Sequence, residues 1–169
     1  FLAHRMCLQY REEFGIWISS GVLFNHESEL RPQHFVFQKV IRSLVEISQG
    51  KRQFLELGNL EIYRDWGYAG DYVEAMQKSL QSDNPRDYVI ATGRLNSLRN
   101  VIEKTCELLG LSGAEESFVK IDPSLMRPLD IERTWGNPKL AEELLGWKAR
   151  TTFEELIEKM VRVNLSNIH

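Results

Sequence analysis

Side chains that could hold an anion occur in three short polar segments and at one position on a predicted helix. The segments are Asn25-His26-Glu27-Ser28 with Arg31 beyond it, Arg64-Asp65-Trp66-Gly67, and Met126-Arg127-Pro128-Leu129-Asp130; the helix position is Lys39. Taken singly, each has an ordinary interpretation, such as a capped polar loop, a surface ion pair or a solvated lysine. Taken together, isolated cations beside strand-end loops in an acidic protein predict a site for a multiply charged anion such as a nucleotide diphosphate, because guanidinium groups suit phosphate.

Motifs that would add catalysis or a phosphate loop to this site are absent from the sequence. It contains neither G-x-G-x-x-G nor G-x-x-x-x-G-K-[ST], the glycine loops whose backbone amides cradle phosphates. No lysine follows a tyrosine at a spacing of four; four positions after Tyr10 stands Phe14. No Ser-His-Asp arrangement, poised carboxylate pair or Cys/His metal spacing is legible. The residues therefore predict binding, with no catalytic residue and no metal ligand among them.

The elements that must position these side chains alternate between helix and strand. Apolar residues at helical spacing predict helices over residues 1–14, 35–47, 68–81, 97–109 and 138–145, and from 152 onward. Short apolar and β-branched runs predict strands over residues 16–24, 54–57, 87–92 and 117–121, with a polar loop over 25–33. This alternation predicts an α/β fold with some parallel sheet, and the polar segments follow its strands at the ends where such sheets bind ligands.

Composition narrows the class of protein. A chain of 169 residues is one domain or parts of two, and its net charge of −3 argues against a general nucleic-acid binder. No apolar run is long enough to cross a bilayer and no signal-peptide pattern opens the chain, so no membrane partner is predicted. Cys7 and Cys106 lie in helical patterns and are interpreted as free, buried thiols in a reducing compartment, which favours the cytoplasm.

The first predicted helix begins without a capping residue. Neither Phe1 nor its neighbours can supply the oxygen that usually caps a helix N-terminus, whereas Gly15 stands where a C-cap is expected. We therefore expect this helix to continue upstream of Phe1. Its apolar residues lie on more than one side, so we also expect the helix and the strand after it to expose apolar surface in the isolated chain.

Several stretches, read together, resemble one known family. They are GVLFNHES, FVFQKVIRSLVEISQGK, LGNLEIYRDWGYAGDYVEAM, DYVIATG, IDPSLMRPLDIE and GNPKLAEELLGWK, in this order along nearly the whole chain. This combination resembles the GDP-mannose 4,6-dehydratases, which belong to the extended short-chain dehydrogenases/reductases. The resemblance implies the last part of a Rossmann-type parallel sheet, interleaved over residues 1–169 with a smaller nucleotide-sugar-binding α/β domain.

The same resemblance implies an activity, a cofactor and partners. Members convert GDP-mannose to GDP-4-keto-6-deoxymannose with NADP in an internal redox cycle. The family's glycine motif, catalytic Thr and Glu, and Tyr-x-x-x-Lys all align upstream of Phe1, so this chain is expected to be the carboxyl-terminal half and to be inactive alone. The implied partners are GDP-mannose, the missing amino-terminal half and, at full length, a second copy in a dimer or tetramer.

The resemblance assigns roles to individual positions. Asn25 matches a residue near both the nicotinamide and the sugar diphosphate, and His26 and Arg31 match NADP-contacting residues. Positions around the GDP moiety match Val36, Lys39, Arg64 and Arg127. Asp130 stands where the family more often has glutamate, a side chain one methylene longer, at a ribose contact. Residues 29–34, ELRPQH, replace a stretch richer in proline and arginine.

Two other functions fit the same residues. A reductase or epimerase of the same superfamily could use a related GDP-sugar, and a Thr-x-Glu pattern in the upstream stretch would favour the dehydratase instead. A non-catalytic nucleotide-sugar-binding module would bind GDP-mannose without turning it over.

Overall fold

Helices and short strands alternate along the chain, as the apolar patterns predict. The computed structural model describes residues 1–126 and 129–167. The α-helices are α1 Leu2–Phe14, α2 Val36–Ser48, α3 Ala69–Leu80, α4 Leu98–Leu109, α5 Glu115–Phe118, α6 Lys139–Leu145 and α7 Phe153–Asn167. The strands are β1 Ser20–Leu23, β2 Asn25–Glu27, β3 Leu55–Leu57, β4 Tyr63–Arg64, β5 Trp66–Tyr68, β6 Asp87–Ile90, β7 Asn96–Ser97, β8 Val119–Ile121 and β9 Arg133–Thr134.

Most strand pairs are parallel and join segments that are distant in sequence. Strand β1 pairs with β6, β2 with β5 and β3 with β8, all in parallel. Strand β4 lies between an antiparallel neighbour, β7, and a parallel one, β9. The predicted α/β fold with parallel sheet is therefore confirmed. Because parallel strands end at the same edge, each pair brings two connecting loops together.

Two clusters of apolar side chains form the core. The larger cluster packs α2, α4 and α7 around fully buried residues such as Phe37, Leu44 and Ile157. Helix α2 supplies five of its buried positions at helical spacing, whereas its charged residues Arg42 and Glu46 pair with each other. The smaller cluster joins α3, β6 and α6 through Tyr72, Tyr88, Ile90, Ala141 and Trp147.

Capping residues close in sequence determine where several helices begin and end. Gly15 and Gly110 adopt the left-handed conformation at the ends of α1 and α4, with φ of 61° and 69°. Ser97 and Asn100 form a capping box at the start of α4. The predicted box before α7 is confirmed, because the Thr152 and Glu155 side chains each accept the other residue's backbone N–H, at 3.2 and 2.8 Å respectively.

Four local predictions were wrong. The strand predicted over residues 117–121 is confined to Val119–Ile121, because its first two residues end α5. Asn25–Glu27 is a strand rather than a loop, because it pairs with β5. The strand predicted over residues 16–24 is confined to Ser20–Leu23, and it is largely exposed because β6 is its one neighbour among the described residues. Cys7 is half-buried rather than buried, whereas Cys106 is fully buried and both thiols are free.

Helix α1 lies on the surface and contributes no buried residue. Its exposed apolar side chains include Phe1, Leu2, Met6 and Phe14, as the sequence predicts. Polar contacts from His4 and Arg11 to Asp87 attach it to the start of β6. Partial burial raises the pKa of Asp87, but these two hydrogen bonds outweigh it and the pKa lies below its usual value. In the described ranges no helix is both long and apolar enough to span a bilayer.

Candidate functional site

The first two polar segments of the sequence meet along one strand pair. In the register of β2 and β5, Asn25 lies opposite Trp66, His26 opposite Gly67, and Glu27 opposite Tyr68. Between β1 and β2, Phe24 N donates a backbone hydrogen bond of 3.0 Å to Ile90 O, at the end of β6. The Asn25 side chain is exposed at this edge. Residues that are about forty positions apart thus share one edge, as the anion-site hypothesis requires.

His26 is fixed by a hydrogen bond and a ring contact. Its Nδ1 lies 2.8 Å from the carbonyl oxygen of Phe24, which can only accept, so Nδ1 carries the proton and Nε2 is left as an acceptor. The imidazole packs on the ring of Tyr72 with centroids 5.0 Å apart. A Cβ on Gly67 would lie 2.4 Å from Tyr72 Cε2, so glycine is needed opposite His26 for this packing.

Glu27 and Arg31 form a nearly buried charge pair. The Glu27 side chain is 3% exposed, and its Oε2 lies 3.1 Å from Arg31 Nε. Burial raises the pKa of the Glu27 carboxyl to about 7, and the positive charge of Arg31 limits the rise. The Arg31 guanidinium carbon lies 3.4 Å from the centroid of the Phe35 ring. The predicted cofactor-contacting arginine is therefore held by two neighbours.

Asp65 is a structural anchor and does not form a surface ion pair with Arg64. The side chain is completely buried. Its Oδ1 accepts hydrogen bonds from Thr92 N and Oγ1 at 2.8 and 2.7 Å, and its Oδ2 accepts from Gly93 N at 2.9 Å. A longer bond of 3.4 Å reaches Gly136 N. One carboxylate thus ties β5 to the loop after β6 and to the segment before α6.

Arg64 and Asp130, which the sequence did not predict to be in contact, form a direct ion pair. Arg64 Nη2 donates to Asp130 Oδ1 at 3.1 Å, and Nη1 donates to Ile131 O at 2.6 Å and to Tyr63 O at 2.9 Å. Both side chains are largely buried, at 15% and 23% exposed. This guanidinium is therefore positioned by β4 and the segment before β9.

Lys39 and Val36 lie at the start of α2, near a different strand pair. Lys39 Nζ donates to the carbonyl of Glu56 at 2.7 Å, over the carboxyl end of β3. Beside it, Asp122 continues from β8 and donates its backbone N–H to Leu57 O at 2.8 Å. Hydrogen bonds from Ser124 and, more weakly, the charge of Lys39 lower the pKa of Asp122. Val36 is partly exposed at the same end of the helix.

The segment after β8 leads from this strand pair toward Arg64. It begins with a one-turn helix, Pro123–Leu125, that packs closely on Gly58. A Cβ on Gly58 would lie 2.7 Å from Leu125 O, so only glycine permits this approach. Arg127 lies outside the described residues, between this turn and Asp130. Its predicted contact with GDP remains a prediction.

The described residues of the predicted site fall into three groups on separate strand sets. Asn25, His26 and Arg31 lie at the β2–β5 edge, Val36 and Lys39 at the β3–β8 edge, and Arg64 with Asp130 beside β4 and β9. Between these groups, the described residues make no direct polar contact. The roles of these residues in binding remain predictions.

Two buried residues of the site were not given roles from the sequence. Glu27 was named only as part of its motif, although its spacing of four from Arg31 was visible. Tyr72 was interpreted as a core position, yet its ring supports His26 and its buried hydroxyl has no hydrogen-bond partner in the described structure. Burial, with the charges of Asp65 and Asp71, raises the pKa of that hydroxyl. Among described residues, no group of histidine, cysteine and carboxylate side chains could hold a metal ion.

The family model for GDP-mannose 4,6 dehydratase matches residues 1–160. The chain belongs to the GDP-mannose 4,6-dehydratase family. Its resemblance to that family, stated above from the sequence motifs, is thereby confirmed.

Curated members of the GDP-mannose 4,6-dehydratase family align over almost the whole chain. GDP-mannose 4,6 dehydratase 2 of Arabidopsis thaliana is 41% identical over 163 residues, which cover 96% of this chain and 43% of the plant protein. GDP-mannose 4,6 dehydratase of Dictyostelium discoideum is 38% identical over 181 residues, covering 98% of this chain and 51% of its own length. The chain spans about half the length of the curated relatives it matches.

Solved structures show the same fold at lower identity. RMD from Pseudomonas aeruginosa complexed with NADPH superposes with a TM-score of 0.88 at 21% identity, covering 98% of this chain and 54% of that one. dTDP-glucose 4,6-dehydratase from Bacillus anthracis in complex with NAD gives 0.81 at 18% identity, covering 98% and 50%. These likenesses confirm the predicted Rossmann-type α/β fold for a member of this family.

Proposed function

We propose that this chain is the GDP-sugar-binding half of a GDP-mannose 4,6-dehydratase that uses NADP. The family match over residues 1–160 carries this proposal. The arrangement of cations supports it, because Lys39, Arg64 and Arg31 all lie at or beside strand ends, where α/β sheets bind nucleotides. The division of the chain into a Rossmann part and a smaller substrate-binding part belongs to the same proposal.

In this proposal the chain binds and orients, and residues outside it react. NADP, when bound, would take a hydride from the sugar and return it after water has left, which makes the enzyme a lyase. Arg31 suits this cofactor, because its Nη groups donate to no other described residue and a guanidinium pairs well with phosphate. His26, in strand β2, would contribute its Nε2, because its Nδ1 is bonded to Phe24 O. RMD from Pseudomonas aeruginosa, whose structure was solved in complex with NADPH, has the same fold.

The substrate would bind between the other two groups. Arg64 and Arg127 would contact the GDP diphosphate, Lys39 would add charge near the start of α2, and Val36 would offer an apolar surface. Asp130 would bind the ribose while holding Arg64 at 3.1 Å. Asn25 would face both the nicotinamide and the sugar. We propose further that the complete protein acts in the cytoplasm as a homo-oligomer.

Nucleotide affinity tests the binding roles. In the full-length protein that contains this chain, we expect Arg64→Ala and Arg127→Ala each to weaken GDP binding at least tenfold, since a charge-assisted hydrogen bond contributes about 1.5–3 kcal/mol. Arg64→Lys should also weaken it, because an ammonium lacks the two-pronged geometry. Arg99→Ala, which removes an exposed arginine paired with Glu61, is the matched control. Calorimetry showing unchanged GDP affinity in both alanine variants would contradict the binding roles.

Product analysis tests the reaction. Incubated with GDP-mannose and NADP, the full-length protein should form the 4-keto-6-deoxy product, whereas the 169 residues alone should form none, because they contain no Tyr-x-x-x-Lys. An epimerised or reduced GDP-sugar would instead support the related enzymes. Binding without turnover by the full-length protein would support a non-catalytic module.

A further inference from the structure

Glu27 is a buried carboxylate for which the proposed function has no role. It ends β2 beside Tyr68 of β5, one residue after His26. Within residues 1–126 and 129–167, Arg31 is the one charged side chain that contacts it. Buried carboxylates are costly unless a partner compensates them, so a glutamate placed here needs an explanation beyond packing.

Arg31 is restrained on two sides and open on a third. Glu27 faces its Nε at 3.1 Å, and the Phe35 ring lies against the flat face of the guanidinium at 3.4 Å. In the described part of the chain, the Nη groups donate no hydrogen bond to the protein. The side chain is 26% exposed, so this open edge can meet a ligand from solvent.

Charge, rather than an aligned hydrogen bond, joins the pair. Although Glu27 Oε2 and Arg31 Nε are within ion-pair distance, neither atom makes a hydrogen bond of acceptable geometry with a described residue. Glu27 therefore restrains the position of the guanidinium without occupying its two-pronged donor edge. Fixing a long arginine before binding reduces the side-chain entropy that a ligand would otherwise have to overcome.

We propose that Glu27 is a positioning residue that acts through Arg31, holding the guanidinium against Phe35 so that its Nη groups face a phosphate of the dinucleotide. This inference rests on the proposed function, which assigns Arg31 to the cofactor. It adds that cofactor affinity depends on a carboxylate that need not touch the cofactor.

Coupling between the two residues tests this inference. NADPH affinity, from a fluorescence titration, is compared in the full-length protein for the parent, Glu27→Gln, Arg31→Ala and the double variant. We expect Arg31→Ala to weaken NADPH binding about tenfold or more, and Glu27→Gln about three- to tenfold. In the Arg31→Ala background, Glu27→Gln should have no further effect. GDP affinity should stay within about twofold in all variants, because the residues assigned to GDP lie at other strand ends.

A neighbouring glutamate provides the matched control. Glu29→Gln removes a charge from the same loop, and Glu29 contacts Tyr68 Oη at 3.5 Å rather than Arg31. It should leave NADPH affinity within about twofold of the parent. If Glu27→Gln fails to fold, Phe35→Leu decides instead, because it removes the ring that supports Arg31 and should weaken NADPH about threefold or more.

The remaining outcomes separate this inference from the proposed function. Additive losses in the double variant, or equal losses of NADPH and GDP affinity in Glu27→Gln, would overturn the positioning role in favour of a purely structural one. NADPH binding that Arg31→Ala or Phe35→Leu leaves unchanged would overturn it too. A parent protein that binds no NADPH would overturn the proposed function, and this inference with it.

Discussion

Asp65 and Glu27 are both buried carboxylates next to the β2–β5 pair, but their surroundings differ. Asp65 is completely buried and accepts hydrogen bonds from Thr92, Gly93 and Gly136. Glu27 is 3% exposed and faces a single arginine without an aligned hydrogen bond. Burial raises the pKa of Glu27 to about 7, against which the charge of Arg31 acts.

The comparison shows that burial alone does not define a carboxylate's role. Three backbone donors from two segments make Asp65 a crosslink, because each donor would be left unsatisfied without it. Glu27 balances the charge of one partner, Arg31, and the Arg31 side chain is partly exposed to solvent. The first arrangement stabilises the fold, whereas the second is suited to orienting a partly exposed arginine.

The largest expected effect comes from removing the crosslink. Asp65→Ala should lower the free energy of unfolding of this chain by about 3–5 kcal/mol, because buried N–H groups lose their acceptor. Urea denaturation at neutral pH measures the change. Asp83→Ala, at an exposed aspartate, should change it by less than about 0.5 kcal/mol. A loss below about 1 kcal/mol for Asp65→Ala would place Asp65 in the same class as Glu27.

The second effect depends on pH and comes from Glu27. The folded-state pKa of Glu27, about 7, is above the unfolded value of 4.5, so the folded state binds more protons between these values. Stability from this group is therefore full below about pH 4.5 and is lost as pH rises to about 7, by roughly 3.5 kcal/mol at about 1.4 kcal/mol per pH unit.

Denaturation from pH 4.5 to 8 checks that dependence. Glu27→Gln should remove this component of the slope, and the exposed Glu56→Gln should leave it in place. An unchanged slope in Glu27→Gln would show that the carboxylate is as well compensated as that of Asp65.

A smaller effect is expected at Tyr72, a third buried polar group in the same region. Its hydroxyl has no hydrogen-bond partner among the described residues. Tyr72→Phe should therefore leave the free energy of unfolding unchanged or raise it by about 1 kcal/mol, because a polar group without a partner is no longer buried. Thermal unfolding of the variant and parent would show this. A loss of more than about 1 kcal/mol would mean that the hydroxyl is bonded, as Asp65 is.

The smallest effect is expected for charges outside the core. Arg99 and Glu61 form an ion pair 2.7 Å apart, with both side chains more than half exposed. Breaking it with Arg99→Ala should change stability by less than about 0.5 kcal/mol, because solvent screens such pairs. A double-mutant cycle with Glu61→Ala would measure the coupling. Coupling above about 1 kcal/mol would weaken the distinction between buried and exposed charges.

The sequence predicted features that depend on neighbours along the chain. Gly15, Gly110 and the Thr152–Glu155 box gave correct helix ends, because caps form between residues within one turn. Strand β2 was missed because its polar residues resemble a loop, and its pairing with β5 is not visible locally. Lys39 was a candidate cation from the sequence alone, whereas family resemblance supplied its GDP role and the assignment of Val36.

The partners of adjacent charges were the hardest feature to predict. Arg64 and Asp65 are consecutive, which suggested a surface ion pair. In an extended segment, however, successive side chains point to opposite sides. Asp65 therefore enters the core, and Arg64 turns toward Asp130, a residue 66 positions away along the chain.

Gly58 shows how a position without a side chain can control the path of a neighbouring segment. Its missing side chain lets the turn at Leu125 lie against the β3 end, and the same segment continues to Asp130. Any larger residue would push that turn away from the end of β3. Variants chosen only among exposed side chains would therefore overlook this position, and a library that varies Gly58 would alter the local backbone path and fold integrity at once.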